Sequence, residues 1–210
     1  MLGLAVSSSS PAVAARCAYA RAGVGAAGSQ NITDPTLGPK LLDLMAMGLP
    51  APDAVSALAA ATPNIAYRQL TAVDSSGRTG AFSGERTLGR HAAAHGDGAV
   101  AAGNMLKSTD VPARMLAAFE SAAGALGGRL IAAMQAGLDA GGEEGPVHSA
   151  GLLLVRDVTW PVADLRVDWS DDPIQGLKQL WGIYEPQLEA YVTRAIDPTV
   201  APSFGVPGDR

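Results

Sequence analysis

The strand-like segments of this chain follow one another in pairs, and this order constrains the fold more than any other feature. Residues 67–73 and 78–82 form the clearest pair, because the four residues between them, Asp74 to Gly77, are typical of a tight turn. Helical patterns over residues 39–48 and 52–61 are also adjacent, with a linker of only a few residues. Since parallel strands need a long crossover between them, this order predicts antiparallel sheets covered by layers of helices. We therefore expect an α+β fold and not a doubly wound parallel sheet.

The remaining predicted elements fit the same arrangement. A wholly apolar run over residues 151–155 is typical of a central strand, and residues 163–169 alternate as a half-buried strand does. A helix that opens at Pro173 is interrupted at Pro186 and ends near Arg194. Further strands are predicted over residues 2–7, 23–29, 87–94 and 99–102, a short helical or irregular stretch over 13–20, and two helices after Asp110 and around residues 130–138.

Composition limits the size of the folded unit and the kind of partner. Of the 210 residues, 48% are apolar and 17% are charged, which supplies a packed core and is too little charge for a disordered chain. We expect one domain over residues 1–196 and an extended Pro-rich tail over residues 197–210. The formal net charge of −5, without a Lys/Arg cluster, argues against a nucleic-acid partner. The single cysteine, Cys17, excludes an internal disulfide and indicates a reducing, cytoplasmic compartment, and no apolar run is long enough to span a membrane.

The first 33 residues allow two interpretations. They contain Arg16 and Arg21, many Ala and Ser, and no Asp or Glu, which is the composition of a transit peptide. The alternative is a strand over residues 2–7 followed by a segment of small residues. We favour the strand.

Three familiar functional motifs are not supported by the residues around them. Residues 23–28 spell the glycine pattern of a dinucleotide site, but a Pro-broken loop follows them where a helix N-terminus is needed, so close backbone packing is the preferred interpretation. His91 and His95 are four residues apart, which along a strand is about 13 Å and too far for one metal ion. No serine stands on the Gly-x-Ser-x-Gly turn of a serine hydrolase. The sequence therefore predicts neither a metal nor another cofactor.

Polar side chains at the ends of predicted strands are the remaining candidates for a site. Gln30 and Asn104 each follow a strand, and Ser149 precedes the apolar strand at residues 151–155. Amide and hydroxyl groups in such positions are suited to hold a substrate or an oxyanion. Asn and Ser also serve in turns and loop caps, and the sequence does not separate the two roles.

Several blocks of residues, in order along nearly the whole chain, match one pattern. They are residues 20–30, 38–44, 67–70, 81–84, 102–106, and 165–168 followed by Asp172-Pro173. Together these blocks resemble a bacterial family, the domain-of-unknown-function family numbered 1028, which is placed in the N-terminal-nucleophile (Ntn) hydrolase superfamily. The resemblance implies a four-layer αββα sandwich with two mainly antiparallel sheets, and the element order derived above is compatible with it.

The resemblance also implies a mechanism, and this chain departs from it at its start. In that superfamily a Thr, Ser or Cys at the mature N-terminus attacks the substrate, and its own α-amine serves as the base. The present sequence starts at Met1-Leu2, and Leu2 carries no nucleophile. We expect the nucleophile, with the first strand, to lie upstream of residue 1 or to be absent. The first option is favoured, because a sheet without that strand leaves residues 2–7 as an apolar edge.

The sequence thus predicts a hydrolase of a small amide or peptide-like C–N bond, with Gln30, Asn104 and Ser149 around the site. The alternative is a non-catalytic module that binds a small molecule in the same crevice. The Ala-rich faces and the edge strand also make a homodimer a reasonable expectation, although no sequence feature demonstrates it.

Overall fold

The computed structural model describes residues 1–204, so residues 205–210 of the predicted Pro-rich tail lie outside the described residues. The strands are β1 (Leu2–Ser8), β2 (Ala18–Arg21), β3 (Gly25–Asn31), β4 (Arg68–Asp74), β5 (Thr79–Ser83), β6 (Ala92–Gly96), β7 (Ala99–Gly103), β8 (Ser149–Val155) and β9 (Ala163–Val167). The helices are α1 (Ala14–Cys17), α2 (Leu37–Ala46), α3 (Ala51–Ala61), α4 (Val111–Ser121), α5 (Leu126–Asp139), α6 (Pro173–Tyr184) and α7 (Leu188–Ile196).

Every strand pairing in the described residues is antiparallel, which confirms the α+β prediction. One sheet has the order β1-β8-β9, a second has the order β2-β3-β4-β5, and β6 pairs with β7 as a separate hairpin. The apolar strand β8 is central in its sheet, as its composition predicted. β1 is an edge strand, and its second edge pairs with no strand among residues 1–204.

Each of the two larger sheets is covered by a pair of helices. Ala27, Leu70 and Ala72 of the four-stranded sheet pack against α2 and α3 in one apolar cluster. Leu152 and Leu154 of β8 pack against α5 and α6 in another. Because side chains alternate along a strand, the opposite faces of the two sheets are turned toward each other, and β1 contacts β2 and β3.

Small residues allow the close approach of these layers. A Cβ atom added to Gly28 of β3 would lie 2.6 Å from Thr71 Oγ1 and 3.7 Å from Leu4 Cδ1 of the other sheet. A Cβ on Gly151 would lie 2.3 Å from the Cβ of Ala14 in α1. The many Ala and Gly residues are therefore used where backbones pack against each other.

The structure corrects several details of the sequence interpretation. Residues 2–8 form strand β1, as the strand interpretation predicted, but residues 18–21 form strand β2 where only a helical or irregular stretch was expected. Asp172 caps α6 by accepting from the Gln175 N–H, whereas Asp110 makes no such bond to α4. β2 is only four residues long and depends on its pairing with β3, so its local pattern is weak.

Candidate functional site

A cavity of about 420 Å³ opens at the end of β1, where segments from distant parts of the chain meet. Its polar lining comes from the four serines Ser7–Ser10, which we call the serine loop, and from side chains at the ends of β3 and β7. Its volume is within the range of about 300–1,000 Å³ that is usual for small-molecule sites. Other residues that line it include Arg16, Cys17, Gln30, Asn31, Thr33, Asn104, Glu143, Val111, Met115, Met134 and Ile174.

Gln30 lies near the end of β3 and Asn104 directly follows β7, and the two side chains meet at this cavity on Gln69. The Gln30 Nε2 group donates to Gln69 Oε1 at 2.8 Å and to the Ala102 carbonyl at 3.3 Å. Asn104 Nδ2 donates to the same Gln69 Oε1 at 3.3 Å. Both N–H groups of Gln30 are therefore used within the protein, and its Oε1 is left to accept from a ligand. Asn104 keeps its Oδ1 and one N–H.

Gln69 orients the side chains of Gln30 and Asn104 by accepting a hydrogen bond from each. We call Gln30, Gln69 and Asn104 the amide cluster. The Gln69 side chain is fully buried, and Gln69 of β4 is paired in register with Gln30 of the neighbouring strand β3. Its Nε2 donates to Ser83 Oγ at 2.9 Å and to the Gly103 carbonyl at 3.0 Å, so all of its polar atoms have partners. A buried amide with complete hydrogen bonds is a rigid support for the side-chain amides of Gln30 and Asn104.

The chain turns sharply after each of the two cavity amides. Asn31 follows Gln30 with a φ of 76°, and Met105 follows Asn104 with a φ of 51°. Both values lie in the left-handed region, which non-glycine residues seldom adopt. Asn31 is fixed by two bonds of its side chain, from Nδ2 to the Tyr67 carbonyl at 2.6 Å and from the Leu88 N–H to Oδ1 at 3.1 Å. These turns end the strands at the cavity.

Ser149 lies beneath the serine loop and does not line the cavity. Its side chain is fully buried, its Oγ donates to the Ser10 carbonyl at 2.6 Å, and it accepts from the Val13 N–H at 3.1 Å. The structure thus brings Gln30 and Asn104 together at the cavity and places Ser149 under the serine loop. Ser149 holds the loop to β8, and a direct role of its hydroxyl in a reaction stays a prediction from the sequence.

Two charged side chains also line the cavity, and sequence reasoning missed both. Arg16 of α1 donates from Nη1 to the carbonyls of Pro11 (2.6 Å) and Ala12 (3.0 Å), and from Nη2 to Ser10 Oγ at 2.7 Å. Glu143 accepts one hydrogen bond, from the Ser9 N–H to Oε2 at 3.3 Å. Burial raises the pKa of the Glu143 carboxyl above its ordinary value, and the bond from Ser9 lowers it by a smaller amount.

The position of Glu143 results from contacts that are far apart in sequence. The chain leaves α5 through Gly141 and Gly142, both at positive φ, and Glu143 then pairs with Leu106 in an isolated antiparallel bridge. The Glu144 N–H donates to the Met105 carbonyl at 2.7 Å. Glu143 is therefore held beside the segment that carries Asn104. The sequence pattern showed only a polar loop here, and no local signal separates Glu143 from Glu144.

Cys17 lines the cavity but is not an activated nucleophile. Its Sγ is 3.4 Å from Thr33 Oγ1, and the residue is buried. Burial raises the pKa of the thiol above its ordinary value, while the contact with Thr33 and the charge of Arg16 lower it by less. The reactive form of cysteine is the thiolate, so this thiol is poorly suited to attack a substrate near neutral pH.

A second, smaller cavity of about 160 Å³ runs along the free edge of β1. It is lined by residues 1–6 of that edge and by apolar side chains of β7, α4 and α5. Ala5, Val6, Gln30 and Ala102 line both cavities, so the two cavities are adjacent at Gln30.

The model of the family of unknown function DUF1028 matches residues 1–177. The chain belongs to this family. Every residue that lines the larger cavity lies within the matched range. Among solved structures, the chain is similar to a DUF1028 protein from Silicibacter pomeroyi, with 29% sequence identity and a TM-score of 0.81 over 86% of this chain and 79% of that one. No curated protein matches the chain.

The motifs that the sequence set aside lie away from this DUF1028 cavity. Gly25 and Gly28 are inside strand β3, and Gly23 is in the turn before it with a φ of 71°. His95 lies in strand β6 with its Nδ1 at 2.9 Å from Thr79 Oγ1, and His91 lies just before that strand. Within residues 1–204 no group of three or more His, Cys, Asp or Glu side chains is arranged to hold a metal ion. In the same range no helix is long and apolar enough to cross a membrane.

Proposed function

We propose that this DUF1028 protein is an Ntn-type hydrolase that cleaves a small amide or peptide-like C–N bond in the larger cavity. The layering supports the fold part of this proposal, because α2 and α3 cover one antiparallel sheet, α5 and α6 cover the other, and the sheets face each other between them. This layering is what an αββα sandwich requires, and it supports that part of the proposal. In the reaction, water adds across the bond, so that the carbonyl carbon gains a hydroxyl and the nitrogen leaves as an amine.

The observation that carries the proposal is the amide cluster at the cavity. Asn104 offers one free N–H and one carbonyl oxygen, and Gln30 offers a carbonyl oxygen, all held in place by Gln69. An amide bond presents one donor and one acceptor, so a fixed pair of side-chain amides is complementary to it. The free N–H of Asn104 is the group suited to stabilise the negative oxygen that develops during attack.

The proposed N-terminal nucleophile rests on the resemblance to Ntn hydrolases. An Ntn nucleophile is the mature N-terminal residue, and Met1 lines the smaller cavity at the far end of β1, about 20 Å of extended chain from Ser8. The free edge of β1 leads directly to the serine loop. A strand that paired with this edge would place its own end beside Gln30 and Asn104.

A panel of small amides tests this function. The protein purified from its native host is first characterised by intact mass and N-terminal sequence, and is then incubated with dipeptides, N-acyl amino acids and amino-acid amides. Mass spectrometry follows the released acid and amine. We expect release from at least one class of substrate and its loss in Asn104→Ala. A protein with an N-terminal Thr, Ser or Cys that cleaves no member of the panel would contradict the proposal.

The second candidate is a binding module without catalysis, and three observations favour it. Within residues 1–204 no histidine lines the cavity, the Ser8 and Ser10 hydroxyls bond each other at 2.9 Å, and the Cys17 thiol has a raised pKa. None of these groups is prepared as a nucleophile. Saturable binding of a small amide without turnover, by a protein whose native N-terminus is Met1, would favour this candidate.

A further inference from the structure

Arg16 and Glu143 are opposite charges that line one cavity without pairing with each other. The Arg16 guanidinium is fixed on Ser10 and the Glu143 carboxylate on Ser9, so their contacts are on adjacent residues of the serine loop. Throughout the described part of the chain, neither forms an ion pair with any residue. Partly buried charges usually have a partner of opposite sign, and here each faces space that a ligand can occupy.

The hydrogen-bonding groups that remain unused are donors at Arg16 and mainly acceptors around Glu143. Three of the five N–H groups of Arg16 are used on Pro11, Ala12 and Ser10, and two remain, the number that a bidentate carboxylate takes. Around Glu143 the unused groups are acceptors. Glu143 keeps most of its acceptor positions, and Gln30 Oε1 and Asn104 Oδ1 receive no hydrogen bond from residues 1–204.

The acceptors are held together by the fold. Glu143 pairs with Leu106, two residues after Asn104, and Glu144 bonds the intervening Met105, so the carboxylate and the Asn104 amide belong to one small patch. These three oxygen acceptors are suited to an ammonium group, which has three N–H donors and accepts nothing, and the second N–H of Asn104 is left for a carbonyl oxygen of the ligand. The Arg16 side of the cavity is suited to an anion of planar geometry.

We propose that the cavity binds the zwitterion of a short peptide or amino-acid derivative, with its ammonium group on Glu143, Gln30 and Asn104 and its carboxylate on Arg16. This names the substrate class of the proposed function and rests on it for the location of the site. A volume of about 420 Å³ is in the lower part of the usual range for ligands, which suits one or two residues. In this proposal the two charged ends of the ligand fix its orientation in the cavity.

The test combines ligands and variants so that each charge is examined separately. Binding of glycine, alanine and leucine dipeptides is measured by calorimetry, beside the same peptides with an N-acetyl group or with a C-terminal amide. The proteins are the wild type, Glu143→Gln and Arg16→Gln. The matched controls are Glu144→Gln and Arg21→Gln, whose side chains are exposed, are paired with Arg90 and Asp43, and do not line the cavity.

We expect each capped peptide to bind the wild type at least tenfold more weakly than the free dipeptide, as loss of one charge-assisted contact predicts. Glu143→Gln should weaken the free dipeptide tenfold or more and leave the N-acetyl peptide unaffected. Arg16→Gln should weaken the free dipeptide and leave the C-terminal amide unaffected. Both control variants should bind as the wild type does.

Three results would overturn the proposal. The first is no binding of any free dipeptide, and the second is equal binding of free and capped peptides. The third is a loss of affinity in Glu143→Gln or Arg16→Gln that is the same whichever end of the peptide is capped. Arg16 also supports the serine loop, so thermal unfolding of Arg16→Gln is recorded, and the Glu143→Gln data decide alone if that variant is unfolded. Mass spectrometry of the same samples separates this proposal from the function. Binding with the predicted pattern but without cleavage keeps the zwitterion site and contradicts the hydrolase, whereas cleavage of capped amides with no preference for free ends does the reverse.

Discussion

Two polar clusters lie inside this molecule, one around Asp74 and one at the larger cavity. Asp74 is 3% exposed, and its two oxygens accept four hydrogen bonds, from the N–H groups of Ala51, Ser76 and Arg78 and from Arg78 Nε. Every acceptor position is used, and the carboxylate joins the turn after β4 to the start of α3. At the cavity, by contrast, Gln30, Asn104 and Glu143 keep acceptors that have no partner among residues 1–204.

The comparison gives a criterion that separates a polar cluster with a structural role from one that has hydrogen-bonding groups left for a ligand. A buried charge whose hydrogen bonds are complete stabilises the protein and has nothing left for a ligand. A rigid cluster with spare acceptors that face a cavity gains its missing partners only when something binds. Substitutions in the first cluster should therefore change stability and leave binding intact, and substitutions at the cavity should do the reverse.

The largest effect on stability is expected for Asp74→Asn. The amide places a donor against the N–H groups that the carboxylate accepted, so we expect the free energy of unfolding to fall by about 3 kcal/mol. Urea unfolding at neutral pH measures this change, and ligand binding should remain. Asp97→Asn, in the exposed turn after β6, is the control and should change stability by less than about 0.5 kcal/mol. An equal loss in both variants would contradict the structural role of Asp74.

The pH dependence of this variant sharpens the same point. Burial by itself raises the pKa of Asp74, but the hydrogen bonds from Ala51, Arg78 and Ser76 together lower it below the ordinary value. A lowered pKa in the folded state contributes stability above the unfolded pKa of about 3.9, and this is lost as the pH falls through the folded pKa. The difference between wild type and Asp74→Asn should be full at neutral pH and shrink below about pH 4. A difference that is constant down to pH 2 would show that the charge is not its source.

Gln69→Leu should affect both properties, because Gln69 is the buried support of the cavity amides. The change leaves Ser83 Oγ and the Gly103 carbonyl without their donor, and it frees Gln30 and Asn104 to move. We expect a loss of about 2 kcal/mol in stability together with a loss of ligand binding. Gln187→Leu, at an exposed position, serves as the control. Binding that survives in Gln69→Leu would show that the amide cluster is not part of the site.

Ser149→Ala tests whether its hydroxyl supports the loop or takes part in the reaction. The variant removes one bond to the Ser10 carbonyl and one from the Val13 N–H, so stability should fall by about 1–2 kcal/mol, with binding weakened only a few-fold. Denaturation and calorimetry on the same preparation measure both. Complete loss of activity at unchanged stability would instead assign the hydroxyl a direct role, as the sequence suggested.

The smallest effect on stability and a complete effect on function are expected for Asn104→Ala. The side chain donates one long bond of 3.3 Å to Gln69 and is partly exposed in the cavity, so stability should change by less than about 1 kcal/mol. Turnover should be abolished. A large loss of stability in Asn104→Ala would contradict this prediction and show that Asn104 has a structural role.

Sequence reasoning reached those parts of the molecule that depend on local pattern. The apolar run of β8 predicted its central place, and the turn at Asp74 to Gly77 predicted the hairpin of β4 and β5. Gln30 and Asn104 were predicted as site residues because polar residues at strand ends gather at the edges of sheets. Their meeting at one cavity then followed from the fold.

The features that sequence reasoning missed depend on contacts between distant residues. Asp74 caps a helix that begins at Ala51, Ser149 bonds a loop more than a hundred positions before it, and Glu143 reaches the cavity through a single bridge to Leu106. Periodicity describes which face of an element is apolar and carries no information about such pairings. Glu143 therefore had the same appearance in the sequence as any polar loop residue, and nothing in the sequence indicated that Ser149 bonds the serine loop.

The central claim is that the larger cavity, through its spare acceptors, is where this protein binds a small molecule. Chemical-shift mapping tests it most directly, with the ¹⁵N-labelled protein titrated with a library of amide- and amine-bearing fragments. We predict that the side-chain NH₂ signals of Gln30 and Asn104 shift together with the backbone signals of the serine loop, while that of the exposed Gln187 does not move. Fragments that bind only elsewhere, with the signals of Gln30, Asn104 and the serine loop unchanged, would contradict the claim.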